Sequence, residues 1–220
     1  MQSKRSSVAL RAVLAVFIVT LLVKDTRAST QEKVLYSFNG GNGNEPYSGL
    51  IFDTAGNLYG TTYFGGAYDY GTVFELIAKA GGGWTEKVLH SFNYNGRDGY
   101  YPFGNLIFDA SGNLYGTTTY GGSGQCSDGE PGGCGTVFEL TPKAGGGWSE
   151  RILYGFGNGG AYPEGGVVFD ADGNLYSTTH EGPVVEGVDA GCGTVFELMP
   201  QGGGWAAVWR LPACGRVRGL

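Results

Sequence analysis

Short apolar runs separated by Gly-rich turns dominate the chain. In its first part these runs lie at 33–38, 50–53, 58–62 and 72–76, and they are rich in β-branched and aromatic residues, which is typical of strands. The runs do not alternate cleanly between apolar and polar positions, as a sheet with one wet face would. Apolar residues at both parities predict strands that are buried on both faces.

The same succession of runs occurs three times. The sequence Phe-Asp-x-x-Gly-Asn-Leu-Tyr is found within 49–62, 105–118 and 166–179. Each copy is followed by Gly-Thr-Val-Phe-Glu-Leu and then by Gly-Gly-Gly-Trp. Matches of this length in a fixed order identify a tandem repeat of about 60 residues.

A tight turn is predicted between the second and third runs of each unit. Its Asp side chain can accept hydrogen bonds from the turn amides, and its Gly tolerates positive φ. We predict this structural turn role for six residues, namely Asp53, Asp109, Asp170, Gly56, Gly112 and Gly173. The Gly-Gly-Gly at 81–83 is expected to connect the fourth run to the first strand of the next unit.

Four short strands with both faces covered describe a blade of a β-propeller. We therefore predict an all-β fold, a propeller-like array of three four-stranded antiparallel blades at about 33–92, 93–156 and 157–205. Closed propellers have roughly four to eight blades, so the array is expected to be an incomplete propeller. A β-sandwich and a β-solenoid are the alternative architectures.

The N-terminal residues are typical of a signal peptide. A basic stretch with Lys4 and Arg5 precedes the apolar run 12–23, and the small residues around Ala28 predict cleavage after it, which removes 1–28. An uncleaved anchor is the alternative. No later segment is apolar enough to stay in a membrane, so we expect a secreted or cell-envelope location.

The repeats occupy 29–205, and the residues after them depart from the pattern. After Trp205 the expected strand sequence fails, and 206–220 is interpreted as a degenerate C-terminal tail. A truncation or frameshift of a longer protein would explain this tail. Blades at the ends of such an array expose apolar faces, so self-association is expected.

Composition and charge narrow the class of protein. The 43 glycines follow no three-residue period, which excludes collagen, and a hydrophobic content of 41% excludes a disordered chain. The net charge of −6 argues against a nucleic-acid partner, which calls for a basic face.

Export would allow disulfides to form. Cys126 and Cys134 flank a Gly-rich segment that can turn back on itself, so we predict a local disulfide between them. A pairing of Cys192 with Cys214 follows by elimination only and stays open. A zinc site is disfavoured because the chain has no CxxC pair and no cluster of His residues in sequence.

The repeat resembles the GloVer (Gloeo/Verruco) tandem-repeat family. The resemblance rests on Gly-Asn-Leu-Tyr-Gly-Thr-Thr at 56–62, on Gly121-Gly122 and on Gly-Thr-Val-Phe-Glu-Leu at 135–140, and it covers 33–205. It implies an exported or surface-anchored bacterial protein. The family has no assigned activity, so the resemblance indicates location and fold more than function.

No catalytic constellation emerges from the sequence. His90 stands where the other copies have Tyr36 and Tyr154, which indicates a strand position, and His180 starts a loop. The recurring Asp and Glu residues could form the carboxylate pair of a glycosidase, but a residue present once in every unit more often serves the unit's structure. The Asp residues fit turn capping, and the Glu residues fit strand-edge or inter-blade pairing. We predict no catalytic residue, no metal and no cofactor.

The variable loops suggest a binding role. The loops at 39–47, 93–103 and 157–163 lie on one side of the unit and are rich in Asn, Gly and Tyr. Tyr offers rigid amphipathic contact area, so Tyr47, Tyr100, Tyr101 and Tyr162 are the candidate binding residues, for a glycan or a surface protein. Ordinary turn residues are the equally weighted alternative.

Three functions remain open. The leading hypothesis is a secreted or envelope scaffold that binds an extracellular polymer or protein. A purely structural surface element is the second. A polysaccharide hydrolase or lyase is the third, and it would need a pocket that joins charged residues outside the repeat pattern, such as Arg97, Asp98 and Glu164.

Overall fold

The computed structural model describes residues 32–124, 126, 132–157, 160–182 and 193–210. Within these ranges the chain forms thirteen strands and no helix. In chain order they are β1 (Ile51–Phe52), β2 (Leu58–Thr62), β3 (Thr72–Ala78), β4 (Trp84–Ser91), β5 (Gly99–Pro102), β6 (Ile107–Phe108), β7 (Leu114–Gly121), β8 (Thr136–Pro142), β9 (Trp148–Gly155), β10 (Val168–Phe169), β11 (Leu175–Thr179), β12 (Thr194–Gln201) and β13 (Gly204–Arg210).

The strands form three antiparallel sheets, one for each repeat, in a compact unit that begins at Leu35. Sheet 1 has the order β1-β2-β3-β4, and sheet 3 has the order β10-β11-β12-β13. Sheet 2 has the corresponding strands β6-β7-β8-β9, with β5 added beside the second half of β7. The predicted all-β class with four-stranded antiparallel sheets is confirmed, and the arrangement is compatible with an incomplete propeller.

The Gly-Gly-Gly segments have a different role from the predicted one. Residues 81–83 form the hairpin turn between β3 and β4 of the same sheet, so the run 87–92 ends sheet 1 and does not open sheet 2. In sheet 3 the corresponding outer strand β13 pairs with β12 along its whole length. The first residues of the predicted tail 206–220 therefore belong to a strand of sheet 3.

The run 33–38 forms no strand, contrary to expectation. Within the described residues no earlier sheet offers an edge with which it could pair. The rings of Tyr36 and Phe38 instead pack on the outer face of sheet 1, where Phe38 lies against Phe74 at a centroid distance of 4.9 Å.

Successive sheets bury their facing sides against each other. Between sheets 1 and 2 one apolar cluster joins Tyr59, Val73, Leu114, Phe138 and Leu140. Between sheets 2 and 3 the same repeat positions recur in a second cluster with Tyr115, Val137, Leu175, Phe196 and Leu198. The two-sided burial predicted from the runs is therefore present wherever a sheet has a neighbour.

Sheet 3 shows what happens without a following sheet. Val195 is 48% exposed, whereas its counterparts Val73 and Val137 are fully buried. The difference arises because no described strand packs on that side of sheet 3. Phe196, on the opposite side of the same strand, is fully buried against sheet 2.

Buried Thr hydroxyls pair across the two central strands of each sheet. A buried hydroxyl without a partner would be costly, so each of these bonds keeps a polar pair inside the core. The pairs are Thr62–Thr72 at 2.8 Å, Thr118–Thr136 at 2.7 Å and Thr179–Thr194 at 2.6 Å.

A Pro from each entering loop also packs on a Gly of the preceding sheet. A Cβ atom at Gly71 would lie 2.7 Å from Pro102 Cδ, so a larger residue would disrupt the contact. Tyr101, before this Pro, has a φ of 58°, a conformation that side chains and a following Pro disfavour. Its amide donates to the Tyr70 carbonyl of the first repeat at 3.0 Å, and Glu45 and Tyr162 have nearly the same φ before Pro46 and Pro163.

The hairpins and the longer connections lie at opposite ends of the sheets, because consecutive strands are antiparallel. We call the end with the longer connections the loop end. It comprises the described residues of 39–47, 63–71, 92–103, 120–135, 157–164 and 180–182.

The described part of the chain contains no helix long and apolar enough to span a membrane. The predicted signal peptide at 1–28, Cys192 and Cys214 lie outside the described residues.

The repeat provides a matched test of the contacts between sheets. Val137→Ala should lower the free energy of unfolding by about 2 kcal/mol, because it removes buried methyl groups and leaves a cavity between sheets 2 and 3. Val195→Ala, at the same position of an uncovered face, should lower it by less than about 0.5 kcal/mol. Urea unfolding followed by Trp fluorescence measures both, and equal losses would contradict the assigned burial.

Candidate functional site

The turn between the first two strands of each sheet carries a polar network. In sheet 1, Asp53 Oδ1 accepts hydrogen bonds from the amides of Ala55 at 2.9 Å and Asn57 at 2.8 Å. Asp53 Oδ2 accepts from Asn57 Nδ2 at 2.9 Å. The Tyr59 hydroxyl lies 3.1 Å from this oxygen and 2.8 Å from Glu75 Oε1, so its proton is shared between two carboxylates.

The network is repeated in all three sheets. Asp109 and Asp170 make the corresponding contacts with their own Asn and Tyr residues. The glycines of these turns have positive φ, with 87° at Gly56, 84° at Gly112 and 84° at Gly173. All six predicted turn residues therefore lie in these turns.

The recurring Glu residues act within their own sheets and not between blades. Glu75 lies directly opposite Tyr59 on the neighbouring strand, and Glu139 lies opposite Tyr115. In sheet 2, Arg151 on the next strand also donates to Glu139 at 2.6 Å. The described hydrogen bonds of Glu75 and Glu139 therefore lie within their own sheets.

The hydrogen bonds of the turns determine how the Asp residues titrate. Burial by itself would raise the pKa of Asp109, but hydrogen bonds from Asn113, Tyr115 and Ser111 to the charged form outweigh it and lower the pKa below its ordinary value. The same balance lowers the pKa of Asp53 and Asp170.

The loop end carries a continuous cluster of aromatic rings, which we call the aromatic cluster. Tyr63 stacks on Tyr101 with a centroid distance of 4.8 Å, and Tyr100 stacks on Tyr120 at 5.7 Å. Tyr120 in turn contacts Tyr162 at 5.1 Å, so the cluster extends from sheet 1 to the segment before sheet 3. Its members are Tyr47, Tyr63, Phe64, Tyr70, Tyr94, Tyr100, Tyr101, Phe103, Tyr120 and Tyr162.

The four predicted binding tyrosines all belong to the aromatic cluster, but they differ in exposure. Tyr47 is 58% exposed and Tyr101 is partly exposed, whereas Tyr100 and Tyr162 are buried. Burial, followed by neighbouring Tyr residues, raises the pKa of Tyr100 to about 12, so its phenol stays neutral. The buried rings of Tyr100 and Tyr162 therefore pack beneath the more exposed rings of the aromatic cluster.

Sequence reasoning missed two exposed members of the aromatic cluster. Tyr94 stacks on Tyr70 at 5.7 Å, and Phe103 lies 5.5 Å from Tyr47. Both lie within the variable loop 93–103, so the loop composition gave a signal but did not show which rings face outward. Together Tyr47, Tyr94 and Phe103 form the exposed rim of the aromatic cluster.

The predicted disulfide between Cys126 and Cys134 is present, with the two Cα atoms 5.4 Å apart. Its loop adjoins the aromatic cluster, because a Cβ atom at Gly132 would lie 2.6 Å from the Tyr100 hydroxyl oxygen and 2.8 Å from a Tyr94 ring carbon. The bridge thus restrains a loop beside these two rings.

A second group of side chains, which we call the polar cluster, lies between sheets 1 and 2. It consists of His90 from β4, Asp98 from the loop before β5 and Glu150 from β9, with one ligand atom of each within 4.8 Å of the others. His90 Nε2 lies 3.2 Å from Asp98 Oδ2. Burial, followed by the Asp98 charge, raises the pKa of Glu150 to about 7.

The sequence did not indicate the polar cluster. Its three residues are far apart in the chain, and His90 was interpreted as an ordinary strand position, which it also is. The other charged residues proposed for an enzyme do not join Asp98, since Arg97 and Glu164 have exposed side chains.

Comparison with known protein families gives one match. The sequence profile of the Gloeobacter/Verrucomicrobia repeat matches residues 20–211, which is most of the chain. The chain belongs to the Gloeobacter/Verrucomicrobia repeat family. The family resemblance inferred from the motifs is thereby confirmed. No curated protein and no solved structure matches the chain.

In this member of the Gloeobacter/Verrucomicrobia repeat family, the polar network of the hairpin turns, which we call the turn network, and the polar cluster differ in how many copies contain them. The turn network occurs in every copy and serves the repeat itself. The combination of His90, Asp98 and Glu150 occurs once. The first copy has Tyr36, Asn42 and Glu86 at these positions, and the third has Tyr154 for His90 and Ala207 for Glu150. The aromatic cluster and the polar cluster are therefore the features that distinguish this chain from a plain array of repeats.

The turn network predicts how stability depends on pH. Since the folded pKa of Asp109 is lowered, its charged form contributes stability above the unfolded pKa near 3.8, and this contribution is lost as the pH falls through the lower folded pKa. Asp109→Asn should therefore destabilise the protein at pH 7 and at pH 5, and by less as the pH falls below 4. Urea unfolding at several pH values measures the difference.

Asp172→Asn is the matched control, because Asp172 is an exposed Asp on the equivalent turn of sheet 3. It should leave the stability nearly unchanged at each pH. A loss for Asp109→Asn that stays constant down to pH 3 would contradict the assigned role of the turn.

Proposed function

We propose that this protein is a non-catalytic scaffold, secreted or held in the cell envelope, that binds a carbohydrate polymer through the exposed rim of the aromatic cluster. The observation that carries the proposal is the outward exposure of Tyr47, Tyr94 and Phe103 on a closely packed bed of further rings. Single exposed rings are common on protein surfaces, but a contiguous group of exposed rings more often marks a contact surface.

The chemistry of the rim suits sugars. Sugar rings present apolar C–H faces and hydroxyl edges, and Tyr offers both a flat apolar surface and a hydroxyl. The rim is also held rigid, since Tyr47 contacts Phe103 and Tyr63, and its hydroxyl donates to Glu45 at 2.8 Å. Rigid aromatic anchors lose little conformational entropy on binding.

The proposed location rests on two further observations. The N-terminal sequence is typical of a signal peptide. The disulfide between Cys126 and Cys134 suits an oxidising compartment outside the cytosol.

Binding to a panel of soluble and insoluble polysaccharides tests the proposal. We expect the protein to bind at least one of them, and Tyr47→Ala combined with Tyr94→Ala should weaken that binding at least about 10-fold, because it removes two contact rings. Affinity electrophoresis and pull-down measure the affinities.

Phe52→Ala is the control. Phe52 is a 66% exposed ring on a face of sheet 1, and it lies next to the hairpin turn after β1, at the end of the sheet opposite the loop end. It should leave binding unchanged. Equal binding by the double variant and the parent, or no binding to any polysaccharide in the panel, would contradict the proposal.

A purely structural role is the second candidate, favoured by exposed apolar residues on the outer faces of the first and last described sheets. Leu50 of sheet 1 is 48% exposed, whereas its counterparts Leu106 and Val167 are 2% exposed. At the other end of the array Val195 and Val168 of sheet 3 line a shallow groove. On sheet 1, Tyr36 and Phe38 cover the part of the face around Phe74 and leave Leu50 exposed. The equivalent faces are buried in the sheets that have a neighbour.

The repeat indicates what would cover these faces. Sheet 2 packs against sheet 1 through the face that contains Leu106. The equivalent face of sheet 1 contains the exposed Leu50. The Pro contact follows the same pattern, since Pro102 and Pro163 are buried against the preceding sheet while Pro46 is exposed. The second candidate is therefore a head-to-tail contact between sheet 1 of one copy and sheet 3 of another, a heterologous contact that can extend into filaments.

Head-to-tail association predicts a mass that rises with protein concentration. Val195→Glu should abolish the rise, because it places a charge in a contact that would otherwise be apolar. Sedimentation equilibrium measures the mass. Tyr68→Glu, at an exposed position of the loop end, is the control and should associate like the parent. A parent protein that stays monomeric at all concentrations would contradict this candidate.

A further inference from the structure

We propose that His90, Asp98 and Glu150 bind one divalent transition-metal ion between sheets 1 and 2, with zinc as the preferred ion. The three side chains come from two sheets and the loop between them, and their ligand atoms converge within 4.8 Å. The proposal does not depend on the aromatic rim or on the binding of a polymer.

The first argument is an excess of buried acceptor atoms. Asp98 is only 8% exposed, and its Oδ1 has no hydrogen-bond partner. Glu150 Oε1 is likewise buried without a partner. Two buried carboxylate oxygens that meet without a donor are unfavourable while both groups are charged, and either a shared proton or a cation between them would satisfy both.

The second argument comes from the equivalent position in the first copy. There Asn42 Nδ2 donates hydrogen bonds to the Tyr36 hydroxyl oxygen and to Glu86 Oε2, the latter at 3.2 Å. The change from Asn42 to Asp98 replaces an amide donor with an acceptor. The change from Tyr36 to His90 adds a nitrogen that binds metals. Glu86 also keeps one unpartnered oxygen, so the Asp and the His are what set the second copy apart.

The third argument is that Asp98 is held in place before any ion binds. Asn95 Oδ1 accepts hydrogen bonds from the amides of Arg97 and Asp98, both at 2.9 Å. The Asn93 amide donates to Asp98 Oδ2 at 3.1 Å. The loop therefore directs the carboxylate between the sheets, and little further ordering is needed on binding.

The ligand set decides which ion fits. Imidazole nitrogen with two carboxylates suits zinc, whereas calcium and magnesium prefer sites made of oxygen atoms alone. Zinc bonds of about 2.0–2.2 Å in a tetrahedron place neighbouring ligand atoms about 3.4 Å apart. His90 Nε2 and Asp98 Oδ2 are 3.2 Å apart in a hydrogen bond that the ion would replace, and a Glu150 oxygen lies within 4.8 Å of the ligand atoms of both residues. Three protein ligands leave a fourth position for water.

Metal-stripped full chain, kept under non-reducing conditions, should be titrated with ZnCl2 and with MgCl2 in a calorimeter. We expect one equivalent of zinc to bind and to raise the melting temperature, and we expect no heat with magnesium. The double substitution His90→Tyr with Asp98→Asn recreates the hydrogen-bonded set of the first copy. It should fold normally and lose zinc affinity at least about 100-fold.

Glu150→Gln should also weaken zinc binding, while Glu86→Gln, at the same position of sheet 1, should not. His180→Ala controls for the other histidine of the chain. A Co²⁺-substituted sample should show a visible spectrum without thiolate bands, since no Cys is among the ligands. Absence of zinc binding by the parent, or full zinc binding by the His90→Tyr, Asp98→Asn variant, would overturn the proposal.

Discussion

Contact between the apolar faces of successive sheets is the interaction on which the rest of the structure depends. Each sheet is short and apolar on both sides, so a single repeat would leave apolar surface in contact with water. Val73 and Val137 are fully buried because another sheet covers them. The rings of Pro102 and Pro163 add contacts with Gly71 and Gly135 of the preceding repeat. Stability in this protein is therefore a property of neighbouring repeats and not of a single repeat.

This arrangement gives the molecule one end that is nearly the same in every repeat and one end that differs between repeats. The end opposite the loop end carries the hairpin turns and is nearly identical in the three copies. Its Asp, Asn, Tyr and Glu side chains form hydrogen bonds with one another within each sheet. The loop end differs from copy to copy and gathers the aromatic rings. A rigid base with repeated turns allows the loops to vary without loss of the fold.

Internal repetition also separates structural residues from candidate functional ones. A polar residue that recurs with the same partners in every copy, such as Asp53 with Asp109 and Asp170, has its role explained within the sheet. A residue that departs from its counterparts and leaves a buried atom without a partner requires another explanation. Asp98 is such a residue, and its position between two sheets would let a bound ion link them.

The sequence by itself determined the repeat, the number of sheets and most of their strands, because these depend on local composition and on spacing that recurs three times. It did not indicate β5, which lies within the predicted variable loop 93–103. The sequence also predicted a strand at 33–38, and this prediction is wrong. A run of strand-forming residues has the same composition whether or not a neighbouring strand is available for pairing. Only the tertiary structure decided that the Gly-Gly-Gly turn closes a hairpin within one sheet, that Tyr100 is buried while Tyr94 faces outward, and that His90, Asp98 and Glu150 meet. These outcomes depend on how one sheet packs against the next, and that contact joins residues too far apart in the chain for any local pattern to record.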